Sequence, residues 1–193
     1  MELIAAYRSA SDGFGDLVAR VRPDQWARPT PCEAWTVREL VNHVVYEDRW
    51  AVPLLNGDSL SSVGSRFDGD LLGDDPVRAT RDALAGATAA VSAPGALDRS
   101  VELSFGMTAA DEYVRQLLAE HLVHGWDLAV AIDADRDLDG ALVDEVAVWF
   151  PANEEAFRAG GAIAAAVAVP ATAGPQDRLI AAFGRDPRWT GQA

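Results

Sequence analysis

The sequence has no lysine, a single cysteine and no long hydrophobic run. With Cys32 alone, no intramolecular disulfide can form. No apolar stretch reaches the roughly 20 residues needed to span a bilayer. Glu2 and Arg8 stand where a secretory leader would be apolar. The expected location is therefore cytoplasmic. Positive charge is also scarce: 16 basic residues, all Arg, face 30 acidic ones, for a formal net charge of −14. Phosphate backbones and anionic membranes are bound by cations that neutralise phosphate, so this balance argues against nucleic acid and membrane as partners. The Arg-only usage, with many Ala, Gly, Asp and Val, points to a GC-rich genome and says nothing of mechanism.

At 193 residues the chain can build one domain with a real core. Apolar residues at helical spacing (Leu3, Tyr7, Phe14, Leu17, Val18, Val21) predict a first helix over about Glu2–Val21, ended by Pro23. Thr36 and Glu39 form a capping-box pattern that starts a second helix at about Val37, running to about Trp50. Gly57, Gly64, Gly69 and Gly73 make Pro53 to Asp75 a long crossover. A third helix opens with Asp75 as cap and Pro76 at its first position, and stops before Pro94-Gly95. Val101 to Phe105 alternates as a strand or extended loop. Thr108 and Asp111 suggest a second capping box at the head of the longest, fourth helix, which reaches about Ile132. A fifth helix, about Gly140 to Phe150, breaks at Pro151 and resumes towards Arg158, and a last short one spans Pro175 to Phe183. The expected fold class is all-α: a four-helix bundle over residues 1–160, with 161–193 as a C-terminal extension packed on it. An unrelated helical array is the alternative.

Chemistry concentrates in the fourth helix, where Glu120 and His124 are four apart and share a face with Tyr113, Leu117 and Leu128. An inward carboxylate and imidazole must be satisfied, either by a shared cation or by each other as a hydrogen-bonded pair at the edge of the core. Spacing leaves both open. The one histidine outside this helix, His43, lies along the line Leu40, His43, Glu47, Trp50; it is either a third ligand or an ordinary boundary histidine. His121 is three residues from His124 and could chelate with it, but it points roughly 100° away from Glu120, which places it at the flank. Cys32 reads as a small buried hydrophobe rather than a reactive thiol. Asp127 either orients His124 or is a solvated charge near the helix end. Trp35, Trp50 and Trp126 read as core or pocket wall.

The stretch Pro29-Thr-Pro-Cys-Glu-Ala-Trp-Thr-Val-Arg-Glu-Leu-Val-Asn-His43 resembles the amino-terminal motif of the mycothiol-dependent maleylpyruvate isomerase superfamily. Glu120 to Ala129, with its His-Gly-Trp-Asp-Leu-Ala core, and Phe183-Gly-Arg-Asp-Pro-Arg-Trp189 resemble an actinobacterial metal-binding branch of it. The resemblance implies a DinB-like four-helix bundle whose divalent metal, zinc or nickel, is held by His43, Glu120 and His124. Three protein ligands leave a fourth position open, the pattern of a catalytic site. The resemblance implies that this position receives the sulfur of a small-molecule thiol such as mycothiol. The expected activity is then thiol transfer to an electrophilic substrate, or thiol-assisted isomerisation. The rival expectation is a non-catalytic, metal-containing binding protein for a small apolar ligand. A homodimer is left open.

Overall fold

A computed structural model describes residues 1–33 and 35–191. Ala34, inside the Pro29–His43 motif, and Gln192 and Ala193, at the end of the expected 161–193 extension, lie outside the described residues. The chain is mostly helical with one small sheet. Its elements are α1 (Leu3–Val18), α2 (Val37–Leu55), α3 (Leu60–Val63), α4 (Pro76–Val91), β1 (Ser100–Leu103), β2 (Gly106–Ala109), α5 (Ala110–Ala131), α6 (Gly140–Trp149), α7 (Glu154–Ala159) and α8 (Pro175–Ala182). Among the described residues no helix is long and apolar enough to cross a membrane.

The start signals of α2 and α4 act as their chemistry requires. The Thr36 hydroxyl accepts from Glu39 N at 3.3 Å, and the Glu39 carboxylate accepts from Thr36 N at 2.8 Å, so two otherwise orphaned N–H groups are satisfied reciprocally. Asp75 accepts from Arg78 N at 3.0 Å, with Pro76 opening α4. Helix α2 continues past the expected end at Trp50 and through Pro53. An interior proline costs roughly 3 kcal/mol, and burying Leu54 and Leu55 returns about 1.5–3 kcal/mol each. Helix α1 stops three residues short of Val21, because Arg20 N and Val21 N turn to the tighter carbonyls of Leu17 and Val18.

The expected cap at Thr108 does not form. Thr108 lies in β2 opposite Val101, the N-cap of α5 is Ala109 with no side-chain hydrogen bond, and Asp111 and Glu112 act only as acidic residues in the first turn. The extended stretch expected at Val101 to Phe105 is thus half of an antiparallel hairpin, paired from Ser100↔Ala109 to Leu103↔Gly106.

Helices α1 and α5, α2 and α4, α1 and α4, and α2 and α5 pack in pairs, so the four long helices close on one another. Tyr7, Leu54, Leu55, Val91, Val114 and Leu117 fill one end of the shared core, and Phe14, Val37, Leu40, Val44 and Leu128 the other. On its outer side α5 is covered by α6 and the C-terminal segment through Leu118, Leu122, Leu142, Val146, Leu179 and Phe183. Helix α5 is therefore buried almost all round. Of the later residues, Leu179 and Phe183 share the core on this side and Ile180 packs on Trp126, while Val167 N is bonded to Ala181 O. Gly184, at φ 86°, passes so close to residue 164 that an added Cβ would sit 2.8 Å from the Ala164 Cβ.

Candidate metal centre

Helix α2 supplies His43 and α5 supplies Glu120 and His124, and the structure brings the three together. Glu120 Oε2 is 3.1 Å from His43 Nε2 and 3.0 Å from His124 Nε2, and a ligand atom of each lies within 4.8 Å of those of the other two. Two imidazole nitrogens and a carboxylate oxygen are the donor types that borderline divalent cations take, and their convergence fits one. His124 is 7% exposed, and Glu120 and His43 open further to solvent, so the cluster sits in the wall of a cavity. Trp35 covers it, its ring 4.7 Å from that of His43 and 5.9 Å from that of His124. The loop that carries Trp35 is pinned by Thr30, whose hydroxyl reaches Trp35 O at 3.0 Å and accepts from Cys32 N at 3.2 Å.

Behind His124 stands a chain of support. Its Nδ1 is 3.0 Å from Asp127 Oδ2, and Arg185 Nη2 donates to the same oxygen at 3.0 Å. Asp127 is fully buried, so of its two sequence readings the orienting one fits and the solvated one does not. Arg185 Nη1 donates to Phe183 O at 2.8 Å, and Nη2 also reaches Cys32 Sγ at 3.3 Å. Cys32, His124 and Asp127 form a second group with metal-ligand spacing, but the guanidinium already lies against the Cys32 and Asp127 side of it. That favours His43, Glu120 and His124 as the cation position. Arg185 lies in the Phe183–Trp189 stretch that carries the resemblance, but its role is not readable there, because a contact across 58 residues leaves no local spacing signal.

The electrostatics of the cluster favour a proton on His124. Burial pulls His124 down, but the Glu120 charge and the hydrogen bonds to Asp127 and Glu120 outweigh it and push it up to about 9. Burial would raise Glu120, yet the charge and hydrogen bonds of His124 and His43 hold it well below the usual carboxylate range. Glu47, in the same cavity wall, is pushed up to about 7 by burial first and then by the charge of Glu120. Cys32 is pushed up to about 11, because burial outweighs the opposing charge of Arg185.

His121 is apart from this cluster, but not at a flank. It is sealed in the core, Nδ1 to Leu117 O at 2.7 Å and Nε2 to Asp48 Oδ2 at 3.2 Å, with the Tyr7 hydroxyl donating to Asp48 Oδ1 at 3.3 Å. The flank expectation assumed one buried face on α5; contacts on both sides remove any flank. Trp126 is core, Trp50 packs on Tyr46 and Phe67 away from the cluster, and Trp35 is the tryptophan that touches it.

A helical protein with a His/Glu/His cluster in a cavity wall is thus defined by its geometry. The chain belongs to the family of the mycothiol maleylpyruvate isomerase N-terminal domain, which matches residues 7–129. An uncharacterized protein of Mycobacterium tuberculosis, in two strains, is 31% identical over 194 residues, covering 97% of this chain and 100% of its own. Another uncharacterized protein of that organism is 34% identical over 56 residues, 29% of this chain and 22% of its own. No solved structure matches the chain.

Proposed function

We propose that His43, Glu120 and His124 hold one divalent cation, zinc or nickel, and that the protein uses it in a thiol-dependent transfer or isomerisation with mycothiol or a similar small thiol. The observation that carries this reading is the convergence of the three donor atoms within 4.8 Å at the wall of a cavity. Membership of a mycothiol-related family supports the choice of thiol. In this reading residues 1–160 form a DinB-like four-helix bundle, residues 161–193 pack on it, and the protein works in the cytoplasm.

Bound there, the cation supplies a lowered thiol pKa, and so a thiolate at neutral pH. The protein's own groups do the rest. Asp127 accepts the Nδ1 proton of His124, which leaves Nε2 as the donor atom facing Glu120 and His43. Arg185 neutralises Asp127 and holds it in place. Trp35 shields the cluster from water on one side, and the cavity admits a second reactant on the other.

The test is elemental analysis of the purified protein together with an assay of mycothiol conjugation or isomerisation. The expected result is close to one divalent metal per chain and turnover that requires both metal and thiol. Metal without thiol-dependent turnover would leave the binding-protein reading, and full metal content in both His43→Ala and His124→Ala would place the cation elsewhere.

A further inference from the structure

The cavity beside the cluster measures about 830 Å³, large enough for a drug-sized molecule. Away from the histidines its walls carry a set of apolar side chains: Phe105 in the hairpin turn, Trp149, Phe157, Ile163, Phe183 and Trp189. The indole nitrogen of Trp149 is committed to Glu112, at 3.0 and 2.9 Å, so the ring offers the cavity no free donor. Phe105 is 69% exposed, apolar surface at the rim that a bound molecule would cover. Four acidic residues, Glu33, Glu47, Glu120 and Asp186, also line the space. Asp186 pairs at the surface with Arg188. Among the described lining residues the one arginine is Arg185, and its guanidinium is committed to Asp127, Phe183 O and Cys32. A divalent cation on the cluster would be only half neutralised by Glu120, so the acidic balance of the wall is that of the metal-free protein.

Maleylpyruvate carries a carboxylate at each end. In the metal-free cavity both would approach the carboxylates of Glu33, Glu47, Glu120 and Asp186 with no free guanidinium to receive them, His124 being already paired with Glu120 and Asp127, and burying an unpaired charge costs several kcal/mol. An uncharged aromatic compound meets no such penalty and gains the faces of Phe105, Trp149 and Phe157.

We propose that the cavity selects an uncharged aromatic ligand and, in the metal-free protein, rejects dicarboxylates. Only the ligand's standing as a substrate rests on the thiol-transfer reading; the selectivity itself follows from the walls.

The experiment titrates metal-free and metal-loaded protein with N-phenyl-1-naphthylamine, a neutral fluorophore that brightens in apolar sites, with maleate as the dicarboxylate competitor. The expected result is saturable binding of about one probe per chain in both forms, undisturbed by a large excess of maleate in the metal-free form. Phe105→Ser, at an exposed turn residue that the fold does not need, and Trp149→Ala should each weaken the probe about tenfold, or about 1.4 kcal/mol. No saturable binding, displacement by maleate from the metal-free protein at probe-like concentration, or unchanged affinity in both variants would overturn the proposal. Because the readout is binding to metal-free protein as well, failure of metal loading or of thiol-dependent turnover leaves it intact.

Discussion

Helix α5 carries two histidines, three residues apart, that meet carboxylates in opposite surroundings. His121 is 1% exposed, and both of its nitrogens and its partner Asp48 are satisfied inside the core, with Tyr7 and Phe14 packed edge-on against the ring. His124 also meets carboxylates, but it shares Glu120 with a second histidine at the edge of a cavity. A closed pair has no room for a third party, and its energy goes into the fold. An open set of three donors around one point has unused coordination capacity. Residue type and spacing are alike in the two regions; what separates them is whether the rest of the chain closes over them.

The largest effect expected from this contrast is a double dissociation. His121→Ala leaves Asp48 buried without its cationic partner and should cost about 3–5 kcal/mol of stability while metal content stays at the wild-type level. His124→Ala should remove nearly all metal and cost less stability when metal-free, because Asp127 keeps its pair with Arg185. Urea unfolding and elemental analysis of the two variants measure both halves. Loss of metal in His121→Ala with retention in His124→Ala would reverse the assignment of the two histidines.

The half of this contrast that lies on one helix was legible from spacing: Glu120 and His124 at i,i+4, and His121 turned away from Glu120. Asp48, 73 residues from His121, and Arg185, 58 from Asp127, were not, because no local pattern announces which distant charge a fold will bury beside a residue. The fold divides the same way. The Thr36/Glu39 box and the Asp75-Pro76 start are local hydrogen-bond chemistry and were readable. The Thr108 start failed because a threonine followed three residues later by an acid also suits the end of a strand, and only the pairing with Val101 decides between them. Pro53 failed for a related reason, since the burial of Leu54 and Leu55 that carries α2 past it is a tertiary effect.

A smaller effect concerns the support behind His124. Asp127→Asn keeps the shape and removes the charge that fixes the imidazole, so metal affinity should fall about 10–100-fold. In the metal-free protein His124 keeps its proton up to about 9, and a cation must displace it. Apparent affinity should therefore climb with pH through the neutral range and level off above about 9. Without the charge of Asp127 that proton is held less tightly, and the plateau should begin at lower pH. Chelator-competition titrations between pH 6 and 10 read both; coincident curves for the two proteins would show that Asp127 does not act through His124.

The smallest effect is at Cys32, which touches the same guanidinium as Asp127 yet should have little part in the chemistry. Its pKa is raised from 9.0 to about 11, which leaves about a hundredfold fewer thiolates at neutral pH than an unperturbed thiol has. Alkylation by iodoacetamide at pH 7.5 should therefore be slower than that of free cysteine by about that factor, and should accelerate as pH approaches 11. The sign for stability runs the same way. The fold favours the neutral thiol, so its contribution is complete below the ordinary thiol pKa and is lost only as pH rises through 11. Cys32→Ser keeps an acceptor for Arg185 Nη2, so it should change stability by about 1 kcal/mol or less and leave metal content and thiol-dependent turnover in place. Rapid labelling at neutral pH, or turnover that disappears with Cys32 while the metal stays, would make this thiol the nucleophile and move the chemistry from the open histidine cluster to the loop beside it.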